Sequence, residues 1–161
     1  MFQFVSLLLI AGLVAADRVT KALVLKSLAE QDPKPVINGV LRLRYVENSG
    51  AAFSIFSDNT LMLTVFTALV LVLCLFILLT HKSKSKFVNA GLILVIAGGI
   101  GNEIDRIVSG CVIDFIEPLF VNFAVFNFAD CCVTVGAFML IVYELYEFIN
   151  EKRKTGKDKN D

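Results

Sequence analysis

Four stretches of the chain stay apolar for longer than a soluble core helix needs, and the polar residues collect between them. Phe2 to Ala16 is almost wholly apolar, and helical character can continue through Asp17, Arg18 and Lys21 towards Leu28 before Pro33 and Pro35 stop it. Leu61 to Thr80 carries no charged residue. At about 1.5 Å per residue that is about 30 Å of helix, the thickness of a hydrocarbon core. Phe87 to about Ile104 follows, rich in glycine (Gly91, Gly98, Gly99, Gly101), and absent side chains there would let neighbouring backbones approach closely. The last stretch runs from about Phe128 to Ile149. The pattern predicts four spans, approximately 2–28, 61–80, 87–104 and 128–149, joined on one side by segments 29–60 and 105–127. A secretory signal peptide ending at Val14-Ala15-Ala16 competes for the first stretch, but no Lys or Arg precedes its apolar run as such a signal requires.

One connection changes period. Val40 to Val46 alternates as Val, Leu, Arg, Leu, Arg, Tyr, Val between Asn38-Gly39 and Asn48-Ser49-Gly50, which predicts a half-exposed strand and a small external sheet. Beyond it, Ala51, Ala52, Phe53, Ile55 and Phe56 predict an apolar element at the membrane surface. The expected fold is therefore an all-α membrane protein of four transmembrane helices with a small β element outside.

Composition agrees: the 161 residues are 57% hydrophobic with a mean hydropathy of +0.75, well above a soluble domain. The length suits one domain, a single bundle. Formal net charge is zero, so no basic excess points to nucleic acid. Basic residues gather after span two (His81, Lys82, Lys84, Lys86) and after span four (Lys152, Arg153, Lys154, Lys157, Lys159). Positive-inside bias puts both groups, and both termini, in the cytoplasm. The outward segments match their basic residues with acids (Glu30, Asp32, Glu47, Asp58, Glu103, Asp105, Asp114, Glu117). Of the four cysteines, Cys131 and Cys132 are adjacent and Cys74 lies in an apolar run, so Cys74, Cys111, Cys131 and Cys132 read as small buried hydrophobes.

A charge near the bilayer centre costs at least about 2.5 to 3.5 kcal/mol, so each acid beside a span needs a partner or a purpose. Asp17 and Lys21 stand four apart in the favourable helical orientation, and their pairing could fix a helix end or serve a substrate. Asn102, Asp105 and Arg106 share one face by the same spacing, where a pinning network is a strong reading. Asp114 and Asp130 have no basic neighbour in sequence. Both should lie near the outer interface, and Pro118 between them lets the chain fold back and bring the carboxyls together. Two carboxyls sharing a site hold one proton between them, which is the equipment for peptide hydrolysis without a metal, a cofactor or a covalent intermediate. The alternative leaves Asp130 as a helix cap and pairs Asp114 with Arg106. A redox protein would need a Cys-x-x-Cys spacing that is absent, while an ion carrier or a scaffold remains open on span count alone.

At these residues the chain resembles the bacterial lipoprotein signal peptidases, also called signal peptidase II. Asp17-Arg18-Val19-Thr20-Lys21 is similar to the family's Asp-x-x-x-Lys, and Asn48-Ser49-Gly50-Ala51-Ala52-Phe53-Ser54 to its Asn-x-Gly-Ala-Ala-Phe-Ser. Gly101-Asn102-Glu103-Ile104-Asp105-Arg106 is similar to Gly-Asn-x-x-Asp-Arg, followed by Gly110-Cys111-Val112-Ile113-Asp114-Phe115; Asn127-Phe128-Ala129-Asp130, with Gly136 beyond, is similar to the final Asn-x-Ala-Asp. The resemblance implies a monomeric, multi-pass peptidase of the bacterial cytoplasmic (inner) membrane with an extracytoplasmic cradle. It would cleave diacylated prolipoproteins before the lipidated cysteine, in contact with membrane lipid. It implies Asp114 and Asp130 as the catalytic dyad. Asn48, Asn102, Arg106 and Asn127 would position dyad and substrate, Asp105 would belong to the supporting network, Asp17 and Lys21 would shape the site near span one, and Gly50 would let the substrate approach. One departure is the absence of tryptophan, a common interfacial anchor; Phe115, Phe120, Phe123, Phe126 and Phe128 crowd the same region.

Overall fold

The computed structural model describes residues 1–50, 60–80 and 85–157, with side chains to 153. Four helices, α1 (Phe2–Leu28), α2 (Thr60–Thr80), α3 (Lys86–Ser109) and α4 (Phe128–Lys157), alternate with three strands, β1 (Lys34–Ile37), β2 (Leu41–Asn48) and β3 (Val112–Pro118). All four helices are long and apolar enough to cross a membrane, and the chain is a multi-pass membrane protein. The apolar segment expected at Ala51, Ala52, Phe53, Ile55 and Phe56 lies outside the described residues, as do Asp58, His81, Lys82, Lys84 and Lys159.

α3 is the central pillar. Its Leu92, Ile93, Ile96 and Ala97 pack with Ile10 of α1 and Leu78 of α2 into a buried cluster. Its other side meets α4 through glycine: a Cβ on Gly136 would lie 2.6 Å from the Gly91 carbonyl oxygen, and one on Gly98 would lie 2.3 Å from that of Ala129. Those two backbones approach as closely as they do only because no side chain intervenes. α2 and most of α1 and α4 present Leu, Val, Ile and Phe outward, as helix faces bathed in lipid require.

The four expected apolar stretches are helices, two of them longer than their apolar runs. α3 continues to Ser109 rather than ending near Ile104, and α4 reaches Lys157 rather than Ile149. Hydropathy marks where lipid stops, whereas a helix stops where its backbone is capped. For α3 that point is Gly110, whose positive φ of 74° closes the helix with its N–H on the Arg106 carbonyl at 3.0 Å.

The strand expected at Val40 to Val46 is β2, and it forms the middle of a three-stranded antiparallel sheet with order β1-β2-β3. β1 and β3 were not foreseen. Gly39, with φ 72°, turns β1 into β2. Val24 and Leu28, at the end of α1, bury against Phe115 of β3, with Leu43 and Tyr45 of β2 packed alongside. The register sets Val46 opposite Asp114 and Asn48 opposite Val112. The far edge of β3 takes up Phe126: the Ile116 N–H donates to the Phe126 carbonyl at 2.8 Å and the Phe126 N–H returns to the Ile116 carbonyl at 3.1 Å. Because α4 starts two residues later, this bridge fixes its first turn beside β3.

Candidate active site

α4 begins with a reciprocal cap. The Asn127 side-chain Oδ1 accepts the Asp130 N–H at 2.9 Å, and Asp130 Oδ2 accepts the Asn127 N–H at 3.1 Å, so two of the helix's orphan donors are satisfied by side chains of the same segment. A third, the Ala129 N–H, donates to Asp17 Oδ1 of α1 at 3.2 Å. Helix N-termini favour negative charge, and this one gathers two carboxylates.

The Asn127 amide faces β3 as well. Its Nδ2 donates to Asp114 Oδ1 at 2.7 Å, and also reaches Asn102 Oδ1 at 3.0 Å and the Ile113 carbonyl at 3.3 Å. Asp114 Oδ2 accepts from Asn48 Nδ2 at 3.0 Å, and Asn48 Oδ1 is itself held by the Gly50 N–H at 3.0 Å. Asp130 Oδ1 accepts from Asn102 Nδ2 at 2.7 Å. Asp114 and Asp130 thus share one asparagine, and each of their four oxygens receives one N–H. Both line a cavity of about 490 Å³ whose walls include Arg106, Gly50, Phe123, Val133 and Thr134.

Asp114 is 2% exposed. Burial raises its pKa from 3.8 to about 6, with the nearby Asp130 charge adding to the rise and the bonds from Asn48 and Asn127 opposing it. A carboxyl at that value is readily protonated close to neutral pH. The alternative pairing of Asp114 with Arg106 is not what forms; the Arg106 guanidinium lies 3.7 Å from Glu103 Oε2. The capping alternative for Asp130 is realised, and it coexists with the carboxylate's place on the cavity wall.

Below the asparagines lies a closed charge network. Lys21, fully buried, sets its Nζ 2.8 Å from Asp105 Oδ2, 3.0 Å from Asp17 Oδ2 and 2.8 Å from Asn102 Oδ1. Arg18 also pairs with Asp105. Two cations and two carboxylates balance. Buried charges need a partner of opposite sign, and Lys21, Asp17 and Asp105 each have one within ion-pair distance.

The sequence profile of Signal peptidase (SPase) II matches residues 9–146. The chain belongs to the signal peptidase II family. Lipoprotein signal peptidases of Streptococcus pyogenes serotype M5 (strain Manfredo) and serotype M18 (strain MGAS8232) are each 42% identical to it over 130 residues, covering 81% of this chain and 86% of theirs. A bacterial membrane enzyme solved by the in meso method at 2.3 Å superposes with a TM-score of 0.84 at 29% identity, covering 91% of this chain and 90% of its own. A second such structure, at 1.9 Å, gives 0.79 at 29% identity, with 88% and 92% covered.

As a signal peptidase II the chain is an aspartic peptidase. Of the residues expected to matter in this signal peptidase II, Asp114, Asp130, Asn48, Asn102 and Asn127 converge on one polar cluster, and Lys21, Asp17 and Asp105 form the layer against Asn102. Asp105 and Arg106 part company: Asp105 turns to α1 and Arg106 to the cavity. Sequence reasoning missed Arg18 as a partner of Asp105, because the two are 87 positions apart. It also missed the Glu103–Arg106 pair, whose i,i+3 spacing could have revealed it.

Proposed function

We propose that Asp114 and Asp130 are the reacting pair with which this peptidase removes signal peptides from prolipoproteins. The observation that carries the reading is their common amide: Asn127 binds Asp114 through Nδ2 and Asp130 through Oδ1 and its own N–H. In this reading Asp130, at the head of α4 and gripped by two N–H donors, stays ionised, and Asp114 carries the shared proton. Asp130 takes a proton from a water held between the acids while Asp114 donates to the scissile carbonyl oxygen, giving a neutral tetrahedral diol. When the diol collapses, the proton on Asp130 passes to the departing amine, one diol hydroxyl returns its proton to Asp114, the C–N bond breaks, and the carboxylic acid product and free amine leave with the dyad restored. Arg106, on the same cavity wall, would bind substrate carbonyls, and Gly50, without a side chain, would let the substrate backbone approach.

The departing amine belongs to the diacylglyceryl-modified cysteine, whose acyl chains lie in the surrounding lipid. The chain acts as a monomeric single domain in the bacterial inner membrane, with both termini in the cytoplasm and the dyad near the extracytoplasmic face. The supporting observations are the basic clusters after spans two and four. The test is cleavage of a diacylated prolipoprotein in detergent. Asp114→Asn and Asp130→Asn should each lose at least about 10³-fold in kcat while the protein stays folded, and full activity in either removes the dyad. A prolipoprotein lacking its diacylglyceryl group should be cleaved far more slowly; equal turnover of the two forms would make this a general membrane protease.

A further inference from the structure

Three asparagines aim an amide at the two acids, and each is held at its Oδ1 end by an N–H donor. For Asn48 the donor is the Gly50 backbone, and for Asn127 it is the Asp130 backbone. Neither can rotate away. For Asn102 the donors are side chains: Lys21 Nζ at 2.8 Å and Asn127 Nδ2 at 3.0 Å.

The two ends of a carboxamide are nearly the same size, so packing alone does not choose between them. Turned end for end, Asn102 would present Oδ1 to Asp130 Oδ1, setting lone pairs against lone pairs where a 2.7 Å hydrogen bond now stands. It would also offer NH₂ to an ammonium, which has donors and no acceptor. Lys21 therefore accepts one orientation only. Its ammonium donates a hydrogen bond to Asn102 and stands in ion-pair contact with Asp17 and Asp105. Arg18 already supplies Asp105 with a second cation, so charge balance alone leaves the contact to a neutral amide unexplained.

We infer that Lys21 is a positioning residue for Asp130, fixing through its ammonium which end of the Asn102 amide faces that carboxylate. The charged groups around Lys21 are Asp17 and Arg18 on its own helix, Asp105 on α3, and, past the asparagines, Asp114 on β3 and Asp130 on α4. The inference rests on the assignment of Asp114 and Asp130 as the reacting pair.

Lys21→Met alone would strand a buried acid, so the test is run in an Asp17→Asn background. There the loss of Lys21 leaves Arg18 against Asp105, and the amide introduced at position 17 still offers an oxygen to the Ala129 N–H. Kinetics on a diacylated prolipoprotein and thermal midpoints in detergent are measured for Lys21→Met, Lys21→Gln, Asn102→Ala and Lys21→Met/Asn102→Ala in that background. Lys21→Met should lower kcat about 10²-fold with KM nearly unchanged. Asn102→Ala should match it, the combination should be no worse than Asn102→Ala alone, and Lys21→Gln, which keeps a donor, should recover much of the loss. Midpoints should stay within about 4 °C of the background. Losses that multiply, a Gln variant no better than Met, full activity in Lys21→Met, or collapse of the fold in every charge-balanced variant would each overturn the inference and leave Lys21 a counter-ion. Asp130→Asn, assayed alongside, separates the two claims: if it is inactive while the cycle fails, only the role of Lys21 falls.

Discussion

Each polar atom of Asn127 has a separate duty: Oδ1 caps α4, the N–H binds Asp130, and Nδ2 binds Asp114. Asn127→Ala should therefore show two deficits together, about 1 kcal/mol of lost cap stability, seen as a lower thermal midpoint, and a fall of about 10²-fold in kcat as Asp114 loses a donor and the Asp130 backbone loses its cap. Asn127→Asp would restore the cap but not the donor to Asp114, so the midpoint should recover while turnover does not. Asp114 gives a pH signature. Its folded pKa of about 6 stands above the 3.8 of an exposed carboxyl, so the folded state holds the proton longer than the unfolded one, and stability falls as pH rises between those values. Asp114→Asn should then raise the midpoint at pH 8, by an amount equivalent to at most roughly 3 kcal/mol, and lose that advantage at pH 4. In the native enzyme kcat/KM should fall as pH climbs through about 6 and the proton leaves; a profile flat from pH 5 to 9 would contradict Asp114 as the proton donor. At this scale the two acids were legible in the sequence because each sat in apolar surroundings with no cation nearby. Asn127 stands only three positions before Asp130, but the other asparagine contacts, 13 to 66 positions apart, leave no periodic trace and were legible only through motif resemblance.

Among the elements, β2 announced itself by alternation, but β3 did not. Val112, Asp114 and Phe115 are all buried, so burial does not alternate along the strand and periodicity cannot assign it. β1 is four exposed residues with a proline, too short and too polar to signal. The contact of α3 with α4, by contrast, was written in glycine. A methyl at Gly136 meets the Gly91 carbonyl, whereas one at Gly12 meets nothing within 4 Å. Gly136→Ala should accordingly lower the thermal midpoint and the yield of folded protein. Gly12→Ala, in a helix interior with open space around it, should be neutral or stabilising by about 0.5 to 1 kcal/mol. Equal effects at the two positions would deny the close helix crossing.

For the molecule as a whole, hydropathy marked four apolar helices, and charge asymmetry carries the direction proposed for them. A reporter that works only in the cytoplasm should be active when fused after α4 and silent when inserted in the 38–39 turn; the reverse would invert the topology. Hydropathy could not show that the sheet, the head of α4 and the C-terminal third of α1 form one solid block, because that depends on contacts such as Arg18 with Asp105 and Ala129 with Asp17. The reciprocal cap has a consequence for inhibition. Asp130 both helps cap α4 and lines the cavity, so a drug gripping it rests on a group the cell cannot replace without also loosening that helix's first turn. Resistance would have to arise elsewhere, in the cavity's apolar lining or in how much enzyme is made.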